Sequence, residues 1–443
     1  MNTYKKEKEE WVTGHNGGPL WEISLVIATL LTSQLLWYSL YHRQHAPSSF
    51  FIEFLIFAIP QLLAQTILAD HTLAINLSHI LASGLVFALS TSSRAQAPKK
   101  ESKRTDPSIG LRRDYISVYR AGMMLMTCAA ILAVDFTIFP RRFAKTETWG
   151  VSLMDLGVGS FVFSSGVVSA RVYLKPQSFG KRMWKAIQSG LALLGMGAAR
   201  LAMVKGVEYQ EHVTEYGVHW NFFFTLGFLP PFVTGFAAIR RYVRFAVVGL
   251  LVAVGYQYAL SKGLQAFVLD APRTDLISMN KEGICSFTGY LAIFLIALEV
   301  GTLVFENQGS GDLKPVWAMA VGLWILFGGS WRVLHIDISR RMANLSYVLC
   351  TAALNTTMIL LFAQVERLSP HALQKTPRLL SALNANGLAV FLVANVMTGL
   401  VNFSIHTLRT PPLQAYWVLV GYLGAVCGLA WWWQQKGWRL RIG

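Results

Sequence analysis

Long apolar runs separated by short polar segments dominate this chain from residue 20 onwards. A transmembrane helix needs about 20 predominantly apolar residues, and about 13 runs reach that length. The runs are continuous, whereas the strands of a membrane barrel alternate between apolar and polar positions. The pattern therefore predicts an all-α polytopic membrane protein forming a single domain, 1–443, with transmembrane helices at about 20–41, 50–69, 71–91, 117–139, 149–170, 183–204, 219–240, 242–260, 287–306, 315–333, 343–364, 386–409 and 414–433.

The composition agrees with this pattern. The 443 residues are 53% hydrophobic and 14% charged, whereas a typical soluble domain contains about 25% charged residues. The net charge of +16 would also suit a nucleic-acid-binding protein. In a membrane protein, however, Lys and Arg collect in cytoplasmic loops and attract anionic lipids. We therefore expect membrane lipids as partners and no nucleic acid. The basic loop 92–116, taken as cytosolic, places the N-terminus in the lumen and the C-terminus in the cytosol.

The most conspicuous polar segment runs between Val134 and Gly166. Asp135 lies in one apolar segment and Asp155 in the next, with a densely charged turn between them. A carboxylate at the centre of a membrane helix costs about 2.5–3.5 kcal/mol to insert. Two such residues beside one charged turn therefore indicate the rim of a reaction site at one membrane face.

Asp135 and Lys145 are the candidate catalytic residues. Pro140 lies between them and is expected to end the helix, so that the turn folds Lys145 back towards the carboxylate. A poorly hydrated carboxylate has a raised affinity for protons and can act as a general base on a hydroxyl group. A neighbouring lysine stabilises an oxyanion or holds a phosphate. The alternative is a structural ion pair at the end of the helix.

Other polar residues at predicted lumenal helix ends are candidates for substrate binding. Arginines grip phosphates through paired donors, and a histidine transfers protons, although one beside a tryptophan also suits an interfacial anchor. Asp155 is equally well explained as half of a buried ion pair, and Gly157 and Gly159 indicate close helix packing. The candidate substrate-binding residues are Arg141, Arg142, Asp155, Ser160, His219, Asn221, Arg340 and Arg341. The four cysteines have no metal-ligand spacing, so no metal is expected.

Four runs of the sequence resemble one family. These are KEKEEWVTGHNGG, DFTIFPRRFAKTETWGVSLMDLGVGSFVFSSG, HWNFFFTL and NKEGICSFTGYLAIFL. In this order they are similar to the GPI inositol acyltransferases, which include the fungal GPI-anchored wall transfer proteins and animal PIG-W. The resemblance implies thirteen spans in the endoplasmic reticulum membrane, a lumenal N-terminus and a cytosolic C-terminus, and essential Asp and Lys residues that match Asp135 and Lys145. This topology agrees with the active site that the charge distribution places at the lumenal face.

The resemblance also implies an activity. Family members transfer a fatty acyl group, usually palmitoyl, from acyl-CoA to the inositol 2-hydroxyl of glucosaminyl-phosphatidylinositol. The implied substrates are therefore glucosaminyl-phosphatidylinositol and palmitoyl-CoA. Acyl-CoA is a co-substrate, and no other cofactor is implied. We expect Asp135 to act as the base and Lys145 to orient it or to steady the oxyanion.

The sequence leaves two alternatives to the acyltransferase open. A multi-span lipid or solute transporter also suits thirteen spans with charges inside the membrane. Glu299, near the middle of its span, favours that interpretation, whereas the one-sided polar cluster favours an enzyme. A non-catalytic scaffold of the same pathway would not need ionisable side chains at Asp135 and Lys145.

Overall fold

About four fifths of the described chain is helical. A computed structural model describes residues 3–44, 49–89, 113–206, 213–306, 312–368 and 376–439. Within these ranges no strand forms, and one isolated bridge joins Gly17 to Val151. The α-helices are α1 (Thr3–Val12), α2 (Leu20–Gln44), α3 (Phe50–Glu53), α4 (Ile59–Gln65), α5 (Thr72–Leu89), α6 (Asp114–Ala133), α7 (Leu153–Tyr173), α8 (Phe179–Gly206), α9 (Val213–Tyr216), α10 (Phe222–Ala237), α11 (Phe245–Ala259), α12 (Gln265–Asp270), α13 (Leu276–Met279), α14 (Lys281–Glu306), α15 (Lys314–Gly328), α16 (Leu345–Arg367), α17 (Arg378–Ala385), α18 (Gly387–Ser404) and α19 (Pro412–Gln435).

Ten helical segments of the described chain are long and apolar enough to cross a membrane. They are Leu20–Tyr41, Ala69–Leu89, Asp114–Ala133, Leu153–Tyr173, Phe245–Asp270, Lys281–Glu306, Lys314–Val333, Leu345–Arg367, Gly387–Ser404 and Pro412–Gln435. The other three predicted spans coincide with α8 and with two shorter apolar segments, Phe50–Gln65 and Phe222–Ala237. The chain is therefore an all-α membrane protein, as predicted from its sequence. The count of thirteen spans and the orientation of the termini stay predictions.

The chain divides into two compact units that alternate along the sequence. The first unit contains Met1–Gly17, Lys145–Thr357 and Ile442–Gly443, and the second contains Gly18–Ala144 and Met358–Arg441. Asp135 therefore belongs to the second unit and Lys145 to the first. The grouping of 1–443 as one domain stays a prediction. The predicted basic loop 92–116 lies outside the described residues except for its last four positions.

In the first unit, α14 is the central helix. It packs against α7 and α11, and most of its residues are buried. Glycines allow the helix backbones to approach closely. A Cβ atom added to Gly166 of α7 would lie 2.7 Å from the Phe294 carbonyl oxygen, and one added to Gly301 of α14 would lie 2.2 Å from that of Val167. These contacts hold α7 against α14, and α7 begins at the candidate site.

In the second unit, α6 packs against α17 and α18, and most of its residues are buried. The Tyr422 hydroxyl of α19 lies 3.0 Å from the Cys128 carbonyl oxygen of α6 and 3.2 Å from the Ala394 carbonyl oxygen of α18. Asp135 lies seven residues after Cys128, and Asn402 lies eight residues after Ala394. The side chains of Asp135 and Asn402 form a hydrogen bond. Thus α6 and α18 run parallel, and their C-terminal ends meet beside Asp135.

Candidate active site

The turn after α6 is closed by the side chain of Arg141. Its Nη2 atom lies 2.9 Å from the Val134 carbonyl oxygen and 2.8 Å from that of Phe139, and it donates a longer bond of 3.2 Å to Phe136. Carbonyl groups at the end of a helix lack hydrogen-bond partners within that helix. The guanidinium group of Arg141 supplies the missing donors. Burial lowers the pKa of Arg141 to about 10, while the charge of Asp135 acts in the opposite direction. These contacts support a structural role for Arg141, and the predicted contact with substrate stays a prediction.

Asp135 lies two residues beyond the end of α6 and is half-buried. Asn402 Nδ2 donates a hydrogen bond of 2.6 Å to Asp135 Oδ2 and also reaches the Thr398 carbonyl oxygen at 3.1 Å. The second bond ties the amide to its own helix. Because Thr407 Oγ1 lies 3.4 Å from Asn402 Oδ1, the amide is held at both ends. One carboxylate oxygen of Asp135 is therefore fixed in direction.

Lys145 forms a bidentate ion pair with Glu215. Its Nζ atom lies 2.7 Å from Oε1 and 2.9 Å from Oε2, and the side chains of Lys145 and Glu215 are 38% and 18% exposed. Glu215 lies in α9, a single turn shortly before α10. The ammonium group is thus held by Glu215, while part of the Lys145 side chain is exposed.

Arg340 continues this charge network into the interior. Its Nε atom donates a 2.6 Å hydrogen bond to Asp155 Oδ1, and its Nη1 atom lies 3.6 Å from Glu215 Oε1. Asp155 is fully buried and Arg340 is 4% exposed. Asp155 also accepts hydrogen bonds from Ser152 Oγ at 2.8 Å and from the Thr146 N–H at 3.1 Å. Together, Lys145, Glu215, Arg340 and Asp155 form an alternating row of charges, here termed the charge cluster.

Local sequence explains how Asp155 reaches this position. Ser152 caps the start of α7 by accepting a hydrogen bond of 3.1 Å from the Asp155 N–H, an arrangement favoured at helix N-termini. Asp155 occupies the first turn, where a negative charge interacts favourably with the helix dipole. Its backbone carbonyl oxygen accepts a 2.7 Å bond from the Tyr347 hydroxyl. These contacts support the buried ion pair, which was one of the two roles expected for Asp155.

The electrostatics of the charge cluster keep Glu215 ionised. Burial by itself raises the pKa of this carboxyl group, but the nearby Lys145 and Arg340 outweigh burial and lower it from 4.5 to about 2. Burial by itself lowers the pKa of Arg340, but the nearby carboxylates of Glu215 and Asp155 outweigh burial and raise it above its ordinary value. Glu215 and Arg340 are therefore charged throughout the physiological pH range.

The two remaining candidate arginines also have carboxylate partners. Arg142 bonds to Glu22 at 2.7 Å and to Asp70, and these carboxylates raise the pKa of Arg142 although burial lowers it. Arg341 Nη2 lies 2.9 Å from Glu282 Oε1. The same buried carboxylate accepts from both terminal nitrogens of Arg273. Of these arginines, Arg142 is the more accessible, at 33% exposure of the side chain.

The segment containing His219 is held in place by Asn280. The Oδ1 atom of Asn280 accepts hydrogen bonds from the His219 and Trp220 N–H groups, at 2.8 and 2.9 Å. Asn221 caps α10 by accepting a 3.0 Å bond from the Phe223 N–H. The amide group of Asn221 thus has a structural function, whereas the predicted roles of His219 and Asn221 in substrate binding stay predictions.

The small residues of α7 behave in two ways. A Cβ atom added to Gly159 would lie 2.7 Å from both Thr351 and Tyr347 of α16, which confirms close packing at this position. At Gly157, by contrast, an added Cβ would meet no described atom within 4 Å, so the expected close packing there is wrong. Ser160 Oγ accepts a 2.9 Å bond from Asn355 Nδ2, and both residues are buried.

In the described residues, no group of three or more His, Cys, Asp or Glu side chains is placed to hold a metal ion. The expectations that the protein needs no metal, and no cofactor besides acyl-CoA, stay predictions.

Comparison with known proteins extends over nearly the whole chain. The GWT1 family model matches residues 4–433. The chain belongs to the GWT1 family. GPI-anchored wall transfer protein 1 of Gibberella zeae is 41% identical over 97% of this chain and 97% of its own length. The protein of the same name from Yarrowia lipolytica is 39% identical over 100% of both chains, and that of Saccharomyces cerevisiae is 36% identical over 95% of this chain and 96% of its own.

In this member of the GWT1 family, three polar residues hold predicted site residues in place but were not predicted from the sequence. They are Glu215, Asn280 and Glu282, which bind Lys145, the His219 segment and Arg341 respectively. Asn280 and Glu282 lie within the run NKEGIC, and Glu215 lies four residues before His219. An acid or amide in a short polar stretch beside an apolar run was therefore the available signal.

Proposed function

We propose that this protein transfers a fatty acyl group, palmitoyl in the usual case, from acyl-CoA to the inositol 2-hydroxyl of glucosaminyl-phosphatidylinositol. This is a step of GPI-anchor biosynthesis in the endoplasmic reticulum membrane, with the active site facing the lumen. The observation that carries the proposal is the family match over residues 4–433, which includes the run containing Asp135 and Lys145. Relatives named GPI-anchored wall transfer protein 1 are similar over nearly their full length.

In the proposed reaction, Asp135 removes the proton of the inositol hydroxyl as its oxygen attacks the thioester carbonyl carbon. The carbonyl oxygen becomes an oxyanion, which Lys145 stabilises. When the C–S bond breaks, the ester remains and CoA leaves as a thiolate that takes up a proton. The contact from Asn402 supports this role for Asp135, because it fixes the direction of the carboxylate. The partial exposure of the Lys145 side chain, at 38%, supports contact with substrate.

Direct transfer suits this chain better than an acyl-enzyme. Cys128, Cys350 and Cys427 are buried, and Cys285 is partly buried. A general base needs a hydroxyl within reach, and here the substrate supplies the hydroxyl.

For binding of the head group, we propose Arg142 as the main arginine, because its side chain is a third exposed. Arg340 and Arg341 are only 4% and 10% exposed, so we assign them to the framework of the site. Of the features that favoured a transporter, Glu299 has a structural explanation. Its carboxylate accepts a 3.1 Å hydrogen bond from the Phe245 N–H at the start of α11.

The test is acyl transfer by the purified protein from labelled palmitoyl-CoA to glucosaminyl-phosphatidylinositol in mixed micelles. We expect a labelled inositol ester from the wild type, and a loss of at least about 100-fold in Asp135→Asn, the scale of general-base catalysis. The control is Asp312→Asn, because Asp312 bonds the Lys314 N–H at the start of α15 and has no proposed catalytic role. A folded wild type that forms no ester with both lipids present would refute the enzyme and favour the transporter or scaffold.

A further inference from the structure

Glu215 lies between two cations of different accessibility. Its Oε1 atom is 2.7 Å from Lys145 Nζ and 3.6 Å from Arg340 Nη1. Arg340 is buried and bound to Asp155, whereas the Lys145 side chain is 38% exposed. Glu215 therefore connects the buried pair to the more exposed of the two cations in the charge cluster.

Without such a partner, the Lys145 ammonium group would move freely. A lysine side chain is a flexible four-carbon stem that carries a strongly hydrated point charge. Two carboxylate oxygens at 2.7 and 2.9 Å restrict where that charge lies. Charge-assisted bonds of this kind are stronger than those between neutral groups.

The backbone near Glu215 is itself held in place. Two residues after Glu215, Gly217 has a φ of +107°, and a Cβ atom added there would lie 2.6 Å from the Met279 carbonyl oxygen. The Val218 N–H donates a 2.9 Å bond to that same oxygen. Together with the Asn280 contacts to His219 and Trp220, these bonds fasten the segment after α9 to the start of α14. Glu215 is thus a fixed carboxylate.

We propose that Glu215 is a positioning residue for acyl transfer, which holds the Lys145 ammonium group where the oxyanion of the thioester develops. The inference rests on the proposed function, in which Lys145 acts on that oxygen. Glu215 itself contacts no reacting atom. A displacement of about 1 Å in a group that stabilises the transition state costs on the order of 100-fold in rate, so a residue that sets this position controls turnover.

The first experiment compares Glu215→Gln and Glu215→Asp with the wild type in the acyl-transfer assay. We expect kcat to fall about 10- to 100-fold in Glu215→Gln, with KM for both lipids within about threefold of the wild type. Glu215→Asp keeps the charge and should recover part of the loss. The matched control is Glu299→Gln, which removes another buried carboxylate of the first unit that bonds the Phe245 N–H.

A second experiment measures the position of Lys145 without catalysis. An amine-reactive acetylating reagent is applied to each folded variant, and modification of Lys145 is followed by peptide mass spectrometry, with Lys145→Arg identifying the peptide. A bidentate carboxylate occupies the ammonium group and hinders the reagent, so we expect modification to be at least about fivefold faster in Glu215→Gln and unchanged in Glu299→Gln.

The outcomes separate this inference from the proposed function. An inactive wild type refutes the transferase, and the acetylation rates still decide whether Glu215 holds Lys145. The inference is overturned if Glu215→Gln keeps the wild-type kcat, if Lys145 is acetylated at the wild-type rate, or if Glu215→Asp is no better than Glu215→Gln. If Glu215→Gln does not fold, Glu215→Asp decides the question alone. We then expect a smaller loss of kcat and faster acetylation of Lys145 than in the wild type. Wild-type values of both quantities would overturn the inference.

Discussion

Arg340 and Asp155 are joined by a 2.6 Å hydrogen bond between Nε and Oδ1, although 185 positions separate them in the chain. Asp155 belongs to the first turn of α7, and Arg340 belongs to the segment before α16. Because both side chains are buried, neither charge can be left alone without a large desolvation cost. This pair therefore fixes two distant parts of the first unit against each other, and the positions of Glu215 and Lys145 depend on it.

The first prediction concerns this pair. Asp155→Asn or Arg340→Gln should each destabilise the protein by about 3–5 kcal/mol, because each leaves an uncompensated buried charge. The double variant should lose less than the sum of the two single losses, since partners in contact are not additive. Thermal unfolding of the purified variants in detergent checks both statements. Additive losses would contradict a direct interaction.

The second prediction uses two glycines of one helix. Gly159→Ala should destabilise the protein by about 1–3 kcal/mol, the cost of overpacking, because its Cβ would lie 2.7 Å from the Tyr347 hydroxyl and from Thr351. Gly157→Ala is the matched control, with no described atom within 4 Å, and should be neutral or slightly stabilising because alanine favours helix. Equal effects on the melting temperature would contradict the packing of α7 against α16.

The third prediction concerns the pH dependence of stability. The pKa of Glu215 is lowered from 4.5 to about 2 in the folded protein, so its ionised form stabilises the fold above pH 4.5. That contribution is lost as the pH falls from about 4.5 to about 2. The melting-temperature difference between the wild type and Glu215→Gln should therefore be constant from pH 5 to 8 and shrink below about 4.5. A difference that already shrinks between pH 7 and 5 would show that Glu215 titrates near neutrality.

The fourth prediction concerns the amide that contacts Asp135. Asn402→Leu removes the 2.6 Å bond to Asp135 Oδ2 and keeps the same number and branching of side-chain heavy atoms. We expect acyl transfer to fall about 10- to 100-fold, because hydrogen bonds to charged groups contribute about 1.5–3 kcal/mol. Asn395→Leu on the same helix is the control, since Asn395 is exposed and, among the described residues, bonds the Phe391 carbonyl oxygen of its own helix. Equal activities of Asn402→Leu and the wild type would remove Asn402 from the site.

Part of the site was predictable because its signals are local. Carboxylates inside an apolar run are costly in a membrane, and this cost identified Asp135 and Asp155 as candidates, while the turn at Pro140 pointed to Lys145. The partners of these residues could not be found in the same way. Asn402 is 267 positions from Asp135, and Glu215 is 70 positions from Lys145. No local pattern of residues states which distant segment will supply the second half of a pair.

The roles of the arginines also could not be predicted from the sequence. Arg141 and Arg340 were expected at a phosphate because of their charge and their place at helix ends. Their observed contacts are with backbone carbonyl oxygens and with buried carboxylates. An arginine at a helix end has the same sequence signature whether its donors face a ligand or the protein itself, so the sequence could not distinguish the two roles.

The sequence by itself determined the class of this protein and its family. Apolar runs of about 20 residues form helices in a bilayer whatever their neighbours are, because every backbone polar group must find its partner within the segment. Tertiary structure alone decided which charges meet. It paired Lys145 with Glu215, Arg340 with Asp155 and Asn402 with Asp135, because burial makes the free energy of a charged or polar group depend on the partner that packing places beside it.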